Sequence, residues 1–252
     1  MRSESRTLGL SLTARVFVFV FASLVFAQAA RAQGQTPQTR PSPSQGPPVE
    51  SGEFREPELV ELVRLDKSLR LDIRYATANN FAGRPVYTQA RAFLQKPAAR
   101  ALVRVHRGLK KKGYGLLVFD GYRPWRVTKL FWDLTPEDKR QFVADPARGS
   151  RHNRGCAVDL TLYDLRTGRE VSMPTPYDDF TARAHVNYAG ATPEQRAARD
   201  LLRSAMEAEG FAVYEPEWWH YDFRDWRQYR ILDLSFEELG RERRKPKRDA
   251  KD

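Results

Sequence analysis

The sequence contains little cysteine and little histidine. Cys156 is the one cysteine among 252 residues, so no disulfide can form within the chain and the fold must depend on its hydrophobic core. For this thiol, a small apolar residue in a strand is the favoured interpretation over a metal thiolate. Four histidines restrict any imidazole-based site to a few positions.

The sequence also lacks a long hydrophobic run. The apolar stretch from Val16 to Ala27 is too short to cross a membrane comfortably; three arginines precede it and Ala30-Arg31-Ala32 follows it. This pattern is typical of a secretory signal peptide. We predict a signal in residues 1–32 with cleavage after Ala32, an exported protein in the periplasm or outside the cell, and no stable membrane insertion after cleavage. A retained anchor is the alternative.

Acidic residues are fewer than basic ones, and most of the excess positive charge lies at the two ends of the chain. The net charge is +11, of which residues 1–32 contribute +3 and residues 241–252 contribute +4. Nothing beyond charge resembles a nucleic-acid module, and charge alone is weak evidence, so we predict no nucleic-acid partner. Residues 241–252 are predicted to be a disordered basic tail, with contact to an anionic surface as the alternative.

The chain between its ends divides into a linker and one domain. Residues 33–54 are rich in Pro, Gln, Ser and Gly and have no apolar periodicity, which predicts a disordered linker. Residues 55–240 are predicted to form the domain. The hydrophobic pattern predicts strands at 59–63, 69–75, 114–119, 157–163 and 211–214, and helices at 97–112, 126–134, from 135 onward and at 192–209. This mixture indicates an α+β fold with a central antiparallel sheet flanked by helices. We expect His106, on the first of these helices, to face solvent.

Two segments carry the residues for metal chemistry. His152 and Asp159 lie in one of them, and His220 lies in the other, three residues after Glu217. Three protein ligands with one open position are typical of a catalytic zinc site, and a fourth carboxylate can accept a proton from water. Two imidazoles and a carboxylate suit zinc best, with iron or manganese left open. A solvated loop carboxylate is the alternative for Glu217.

Arg123 is a further candidate for the site. It stands in Asp120-Gly121-Tyr122-Arg123-Pro124, directly after a predicted buried strand. An arginine at this point can reach a cleft and stabilise a developing oxyanion. A structural ion pair with a carboxylate is an equally good interpretation.

Four segments in this order resemble the zinc D-alanyl-D-alanine dipeptidases, the family that includes the vancomycin-resistance dipeptidase. The resemblance covers residues 59–234, and its segments are residues 75–87 (YATANNFAGRPVY), Asp120-Gly121-Tyr122-Arg123-Pro124, Ser150-x-His152-x-x-Gly155-x-Ala157-x-Asp159 and Glu217-Trp218-Trp219-His220. The third segment is shared with related peptidoglycan peptidases and with the hedgehog signalling domain. The first and the last are narrower and point to the dipeptidases.

The resemblance implies a single zinc-peptidase domain with one Zn²⁺ per chain, which hydrolyses D-Ala-D-Ala to two D-alanines. Its implied metal ligands are His152, Asp159 and His220. It implies that Glu217 is the general base and acid, and that Arg123 stabilises the tetrahedral intermediate.

The same resemblance implies two residues that bind the dipeptide. Ser150 is expected to lie near the substrate carboxylate, and Asp178 is expected to hold the substrate ammonium. Because Asp179 is also a carboxylate, the register of this last assignment stays open. An exposed acidic turn is the alternative for both aspartates.

Two other functions are compatible with these segments. The protein could be a D,D- or L,D-carboxypeptidase that cuts the peptidoglycan stem, or a zinc-containing binding module without catalysis. Retention of both Glu217 and Arg123 favours catalysis over the second alternative. The sequence leaves the oligomeric state and the range of dipeptide side chains open.

Overall fold

A five-stranded mixed sheet lies at the centre of the domain. The computed structural model describes residues 46–242, so the predicted signal peptide, linker residues 33–45 and the basic tail from residue 243 lie outside the described residues. The strands are β1 Leu59–Glu61, β2 Arg70–Leu71, β3 Phe93–Gln95, β4 Tyr114–Asp120, β5 Ala157–Asp164, β6 Phe211–Tyr214 and β7 Glu217–Phe223. The α-helices are α1 Leu62–Leu65, α2 Lys96–Lys110, α3 Trp125–Leu134, α4 Pro193–Glu207 and α5 Phe236–Glu242. No helix within residues 46–242 has the length and apolar character needed to cross a bilayer.

The strand order of the central sheet is β2-β4-β5-β7-β6. The pairs β4–β5, β5–β7 and β6–β7 are antiparallel, so the predicted α+β fold with a central antiparallel sheet is confirmed for four strands. The edge strand β2 instead runs parallel to β4. A parallel pair needs a crossover connection, and α2 lies in the connection between these two strands. A separate antiparallel pair joins β1 to β3.

The two long helices follow directly from local sequence. In α2, Pro97 occupies the first turn and Leu102, Val105 and Leu109 are buried in the core. In α4, Thr192 forms the predicted capping box with Gln195: each side chain accepts a hydrogen bond from the backbone amide of the other residue. Both predictions are confirmed, with boundaries that differ by two residues or fewer.

Three predicted elements are shorter than expected. The strand predicted at 59–63 ends at Glu61, where α1 begins, and the strand predicted at 69–75 is limited to Arg70–Leu71, followed by a 3₁₀ turn over Arg74–Ala76. The helix predicted from Thr135 is a 3₁₀ segment, Glu137–Phe142. Its cap is missing because the Thr135 hydroxyl donates to the carbonyl of Phe131 and so closes α3.

The prediction that His106 faces solvent is wrong. The side chain is 0% exposed, because it lies on the same face of α2 as the apolar residues that pack on β4. The amide of Leu116 donates to its Nδ1 at 3.1 Å, so Nε2 carries the proton and faces Ser68 Oγ at 2.9 Å. Burial lowers the pKa of His106 below its usual value.

Part of the segment predicted to be a linker contacts the domain. Residues 46–54 contain no helix or strand, yet both carboxylate oxygens of Glu50 are bonded, one by Arg154 and one by the amide of Ile231. Composition alone did not reveal these contacts, because they join Glu50 to residues more than 100 positions away.

Candidate functional site

Three neighbouring strands bring polar side chains into one row. Asp159 on β5 is paired with Asp120 on β4 and with His220 on β7. Side chains directly opposite each other on antiparallel strands are close neighbours. The register of the sheet therefore brings together Asp159 and His220, which are 61 residues apart in sequence.

His152 reaches the same row from a tight turn before β5. The one-turn helix His152–Arg154 ends at Gly155, whose φ of 67° is in the left-handed region. A Cβ at Gly155 would lie 2.4 Å from a methyl group of Leu59, so the turn also needs glycine for space. The Nδ1–H of His152 donates to the carbonyl of Gly121 at 2.7 Å, which leaves Nε2 unprotonated in the neutral ring.

The three side chains form a group that could hold a metal ion. Oδ1 of Asp159 lies 3.0 Å from Nδ1 of His220 and 3.4 Å from Nε2 of His152. In the described part of the chain this oxygen is buried with no hydrogen-bond donor aligned on it. One potential ligand atom from each residue lies within 4.8 Å of the others. An orphaned carboxylate oxygen facing two imidazole nitrogens fits a divalent cation, and the donor types fit zinc.

The outer sides of this group are held by hydrogen bonds. Nε2 of His220 lies 3.0 Å from Oδ1 of Asp222, and Oδ2 of Asp159 accepts from the Tyr177 hydroxyl at 2.9 Å. Partners of this kind fix the tautomer and orientation of metal ligands. Burial alone would raise the pKa of Asp159, but His152 and His220 hold that pKa well below its usual value. The carboxylate is therefore ionised at neutral pH.

Glu217 lies beside this group. It is the first residue of β7, and its Oε2 is 3.8 Å from Nδ1 of His220. Strict alternation would put residues three apart on opposite faces of a strand, but the β6–β7 register shifts between Val213 and Tyr214. Both side chains consequently line the same cavity. Burial raises the pKa of Glu217 to about 7, which suits proton transfer near neutral pH.

Arg123 both forms an ion pair and lines the cavity, so the two alternatives that its sequence position allowed are compatible. Its Nε and Nη2 lie 2.9 and 2.8 Å from Oδ2 of Asp120, so it makes a buried ion pair. It also lines the cavity, and Nη2 lies 3.7 Å from Oδ2 of Asp159. Although its burial opposes the charge, the carboxylate of Asp120 keeps the pKa of Arg123 above its usual value. The site therefore holds a permanent cation.

Ser150 and Asp178 also line the cavity. Asp178 has a φ of 61°, unusual for a residue other than glycine, and its two oxygens lie 3.1 and 3.0 Å from the hydroxyl of Tyr75. Burial and the charge of Asp159 raise the pKa of Asp178. Asp179 is not among the lining residues and pairs with Arg183 at 2.8 Å. The turn thus presents Asp178 to the cavity.

The cavity itself is small, at about 120 Å³. Pockets for drug-sized ligands have volumes of roughly 300–1,000 Å³, so this one suits a much smaller molecule. Its wall is aromatic on one side, formed by Phe81, Phe131, Phe142, Phe180 and Trp219. The rings of Phe142 and Phe180 are parallel at a centroid distance of 5.3 Å.

Four residues that support the site received no role from the sequence. They are Tyr75, Asp120, Tyr177 and Asp222. A signal existed for Asp222, which is two residues after His220 on the same face of a strand. Asp120 and Tyr75 stood in the quoted segments, but their partners are set by tertiary contacts. His185, the fourth histidine, does not line the cavity.

The fold and the site define the class as an α+β enzyme domain with a small buried pocket beside side chains that could hold a metal. A sequence family described as D-Ala-D-Ala dipeptidase, peptidase family M15, matches residues 55–236. D-alanyl-D-alanine dipeptidase of Escherichia coli K12 is 34% identical over 179 residues, covering 71% of this chain and 91% of the relative. That of Enterococcus faecium is 38% identical over 175 residues, covering 62% and 87%.

A solved structure of the vancomycin resistance D,D-dipeptidase VanXYg, in complex with a D-Ala-D-Ala phosphinate analog, also matches. It has a TM-score of 0.35 and 20% identity, over 57% of this chain and 53% of that one. On the family match and the E. coli relative, this chain belongs to the M15 family of D-Ala-D-Ala dipeptidases. The family resemblance predicted from four sequence segments is confirmed.

Proposed function

We propose that this protein hydrolyses free D-Ala-D-Ala to two D-alanines with one zinc ion held by His152, Asp159 and His220. The observation that carries this proposal is the orphaned Oδ1 of Asp159, which faces two imidazole nitrogens at 3.0 and 3.4 Å beside the carboxyl of Glu217. The choice of D-Ala-D-Ala as the substrate rests on the relatives, which are named D-alanyl-D-alanine dipeptidases. Zinc in such a site polarises a carbonyl and lowers the pKa of water.

Glu217 moves the protons in this proposal. Its carboxylate takes a proton from the attacking water and returns it to the amine that leaves when the amide bond breaks. A pKa of about 7 supports both roles, since the group can accept and release a proton near neutral pH. Its Oε2 lies 3.8 Å from Nδ1 of His220, and Glu217 does not belong to the group of three residues that could hold a metal ion, which supports a role beside the metal.

Arg123 stabilises negative charge on the amide oxygen in the transition state. Its guanidinium is buried, permanently charged and fixed by two contacts with Asp120. A donor held in place before the reaction stabilises developing charge without reorganisation. The rings of Tyr75 and Phe131 lie 5.4 and 4.9 Å from the guanidinium carbon, which keeps water away from it.

The two ends of the dipeptide bind at two different polar side chains. Asp178, held by Tyr75, takes the ammonium, and Ser150 lies against the carboxylate. A buried carboxyl with a raised pKa gains most from an arriving cation, because the cation restores its ionised form. A cavity of about 120 Å³ that engages both ends supports a substrate as small as a dipeptide.

The test is metal analysis of the purified protein combined with a substrate panel. The panel contains D-Ala-D-Ala, L-Ala-L-Ala and a stem pentapeptide that ends in D-Ala-D-Ala. We expect one zinc per chain and turnover of the free D,D-dipeptide. Turnover of the pentapeptide alone would instead identify a carboxypeptidase. A zinc-loaded protein inert on every substrate would identify a binding module.

We also propose export, with residues 1–32 removed as a signal peptide. The support is the short apolar run, with arginines before it and small residues after it. Expression of the full chain, cell fractionation and N-terminal sequencing test this. A mature N-terminus at Gln33 outside the cytoplasm is expected, and an intact N-terminus in the cytoplasmic fraction would contradict it.

A further inference from the structure

A segment before the matched family region runs along the loop that follows β7. We define residues 50–55 as the strap. Within it, the amide of Arg55 donates to the carbonyl of Gln228 at 2.8 Å, and the Arg230 guanidinium lies 4.5 Å from the ring centre of Phe54. Arg55 also pairs with Asp225 at 3.7 Å. The family match begins at residue 55, so residues 50–54 of the strap lie before the matched range.

Glu50 joins the strap to the turn that carries His152. One oxygen of Glu50 accepts from Nη2 of Arg154 at 2.5 Å, and the other accepts from the amide of Ile231 at 2.7 Å. Nη1 of Arg154 donates to the carbonyl of Tyr229. Arg154 is only 8% exposed, and Glu50 is the carboxylate that balances its charge. A buried cation without such a partner is strongly destabilising.

The turn at His152–Arg154 is held from two sides. On the side of β3, Nε2 of Gln95 donates to the carbonyl of Arg154 at 2.9 Å. On the other side, the Arg154 side chain is fixed by Glu50. The carbonyl of His152 also accepts from the amide of Arg123 at 3.1 Å. Movement of this turn would therefore displace both an imidazole and the arginine of the site.

We propose that Glu50 is a positioning residue for the active site: through Arg154 it fixes the turn so that His152 faces Asp159. Glu50 does not line the cavity, and its bonded partners Arg154, Arg230 and Ile231 do not line it either, so Glu50 acts by holding the guanidinium two positions after His152. The proposal rests on the proposed zinc site. It assigns a role in the working enzyme to a segment whose composition is that of a linker.

The test compares three variants of the full chain with the unchanged protein. Glu50→Ala removes both bonds. Glu50→Gln keeps the shape of the side chain but loses its charge and one of its two acceptors, and Arg55→Ala is the matched control. The control removes an ion pair of the same strap that does not involve Arg154. Two readouts are measured: hydrogen–deuterium exchange in the peptide that contains residues 150–156, and the rate of zinc release to a chelator.

We expect Glu50→Ala to exchange faster in residues 150–156 and to release zinc about tenfold faster, the lower end of the effect known for partners of metal ligands. Glu50→Gln should show smaller changes in the same direction, and Arg55→Ala should show neither. If Glu50→Ala does not fold, the two readouts of Glu50→Gln decide the test. Unchanged exchange and zinc release in Glu50→Gln, or equal changes in Arg55→Ala, would overturn the proposal.

The two proposals fail in different ways. If the unchanged protein binds no zinc, or hydrolyses no dipeptide, the proposed function is wrong whatever Glu50 does. If the unchanged protein is an active zinc enzyme and the Glu50 variants keep its exchange and zinc-release rates, only the role of Glu50 is wrong.

Discussion

Oδ1 of Asp222 lies 3.0 Å from Nε2 of His220, and Nδ1 of the same ring lies 3.0 Å from Oδ1 of Asp159. The imidazole thus stands between two carboxylates. When the ring is neutral, Asp222 accepts the proton of Nε2, and the nitrogen that faces Asp159 keeps its lone pair. The gap between His152, Asp159 and His220 consequently has the electron-rich lining that a cation requires.

Removing the acceptor of the ring proton should weaken metal binding. For Asp222→Ala, we expect zinc affinity to fall by about 10- to 100-fold, because His220 loses the partner that sets its tautomer and orientation. Chelator competition measures the change. Asp200→Ala is the control, an aspartate 61% exposed whose partner Arg199 does not line the cavity. Equal affinity in both variants would argue against a role for Asp222.

Replacing the proposed proton carrier should separate turnover from metal binding. For Glu217→Ala, we expect kcat to fall by about 10²- to 10⁴-fold, the usual contribution of general acid–base catalysis. Zinc content should stay at one per chain, since Glu217 does not belong to the group of three residues proposed to hold the metal. Steady-state kinetics and metal analysis on the same sample check both parts. A variant that keeps its turnover would remove Glu217 from the mechanism.

The two adjacent aspartates offer a matched pair of variants. For Asp178→Asn, we expect kcat/KM on D-Ala-D-Ala to fall by about 10- to 100-fold, the value of a hydrogen bond to a charged group. Asparagine tolerates the left-handed backbone that Asp178 adopts, so the fold should persist. Asp179→Asn should have little effect, because its partner is Arg183. The reverse order of effects would show that Asp179 binds the ammonium.

Two glycines with nearly equal φ angles separate backbone strain from a steric clash. Gly155 has a φ of 67° and Gly83 a φ of 64°, but a Cβ at Gly83 meets nothing within 4 Å. Gly83→Ala should lower the free energy of unfolding by about 1–2 kcal/mol from the left-handed backbone alone. Gly155→Ala should cost more, because its Cβ would lie 2.4 Å from Leu59, and it should also weaken zinc binding through His152. Denaturant unfolding and chelator competition measure these effects.

His106 makes stability depend on pH. Its folded pKa is lowered by burial, so the unfolded chain binds a proton more readily than the native protein does. The contribution of His106 to stability is therefore complete above about pH 6.5 and is lost as the pH falls below it. In His106→Asn, the free energy of unfolding should depend less steeply on pH between 5 and 7. Urea unfolding at several pH values tests this, and an unchanged slope would contradict it.

Local sequence determined the elements whose signals lie within a few residues. The capping pair Thr192 and Gln195 and the apolar stripe of α2 are such signals, because helix caps and faces depend on residues three or four apart. The residue types of the site were readable in the same way. The imidazole and carboxyl groups of His152, Asp159, Glu217 and His220 are of the types that a metal site uses, whatever the fold around them.

Only the tertiary structure decided which groups meet. The β5–β7 register joins Asp159 to His220, the burial of α2 places His106 in the core, and Glu50 reaches Arg154 across 104 positions. The parallel placement of β2 beside β4 is of the same kind. The physical reason is that a hydrophobic pattern states which side of an element is buried, whereas strand register and long-range ion pairs depend on what is packed against that side.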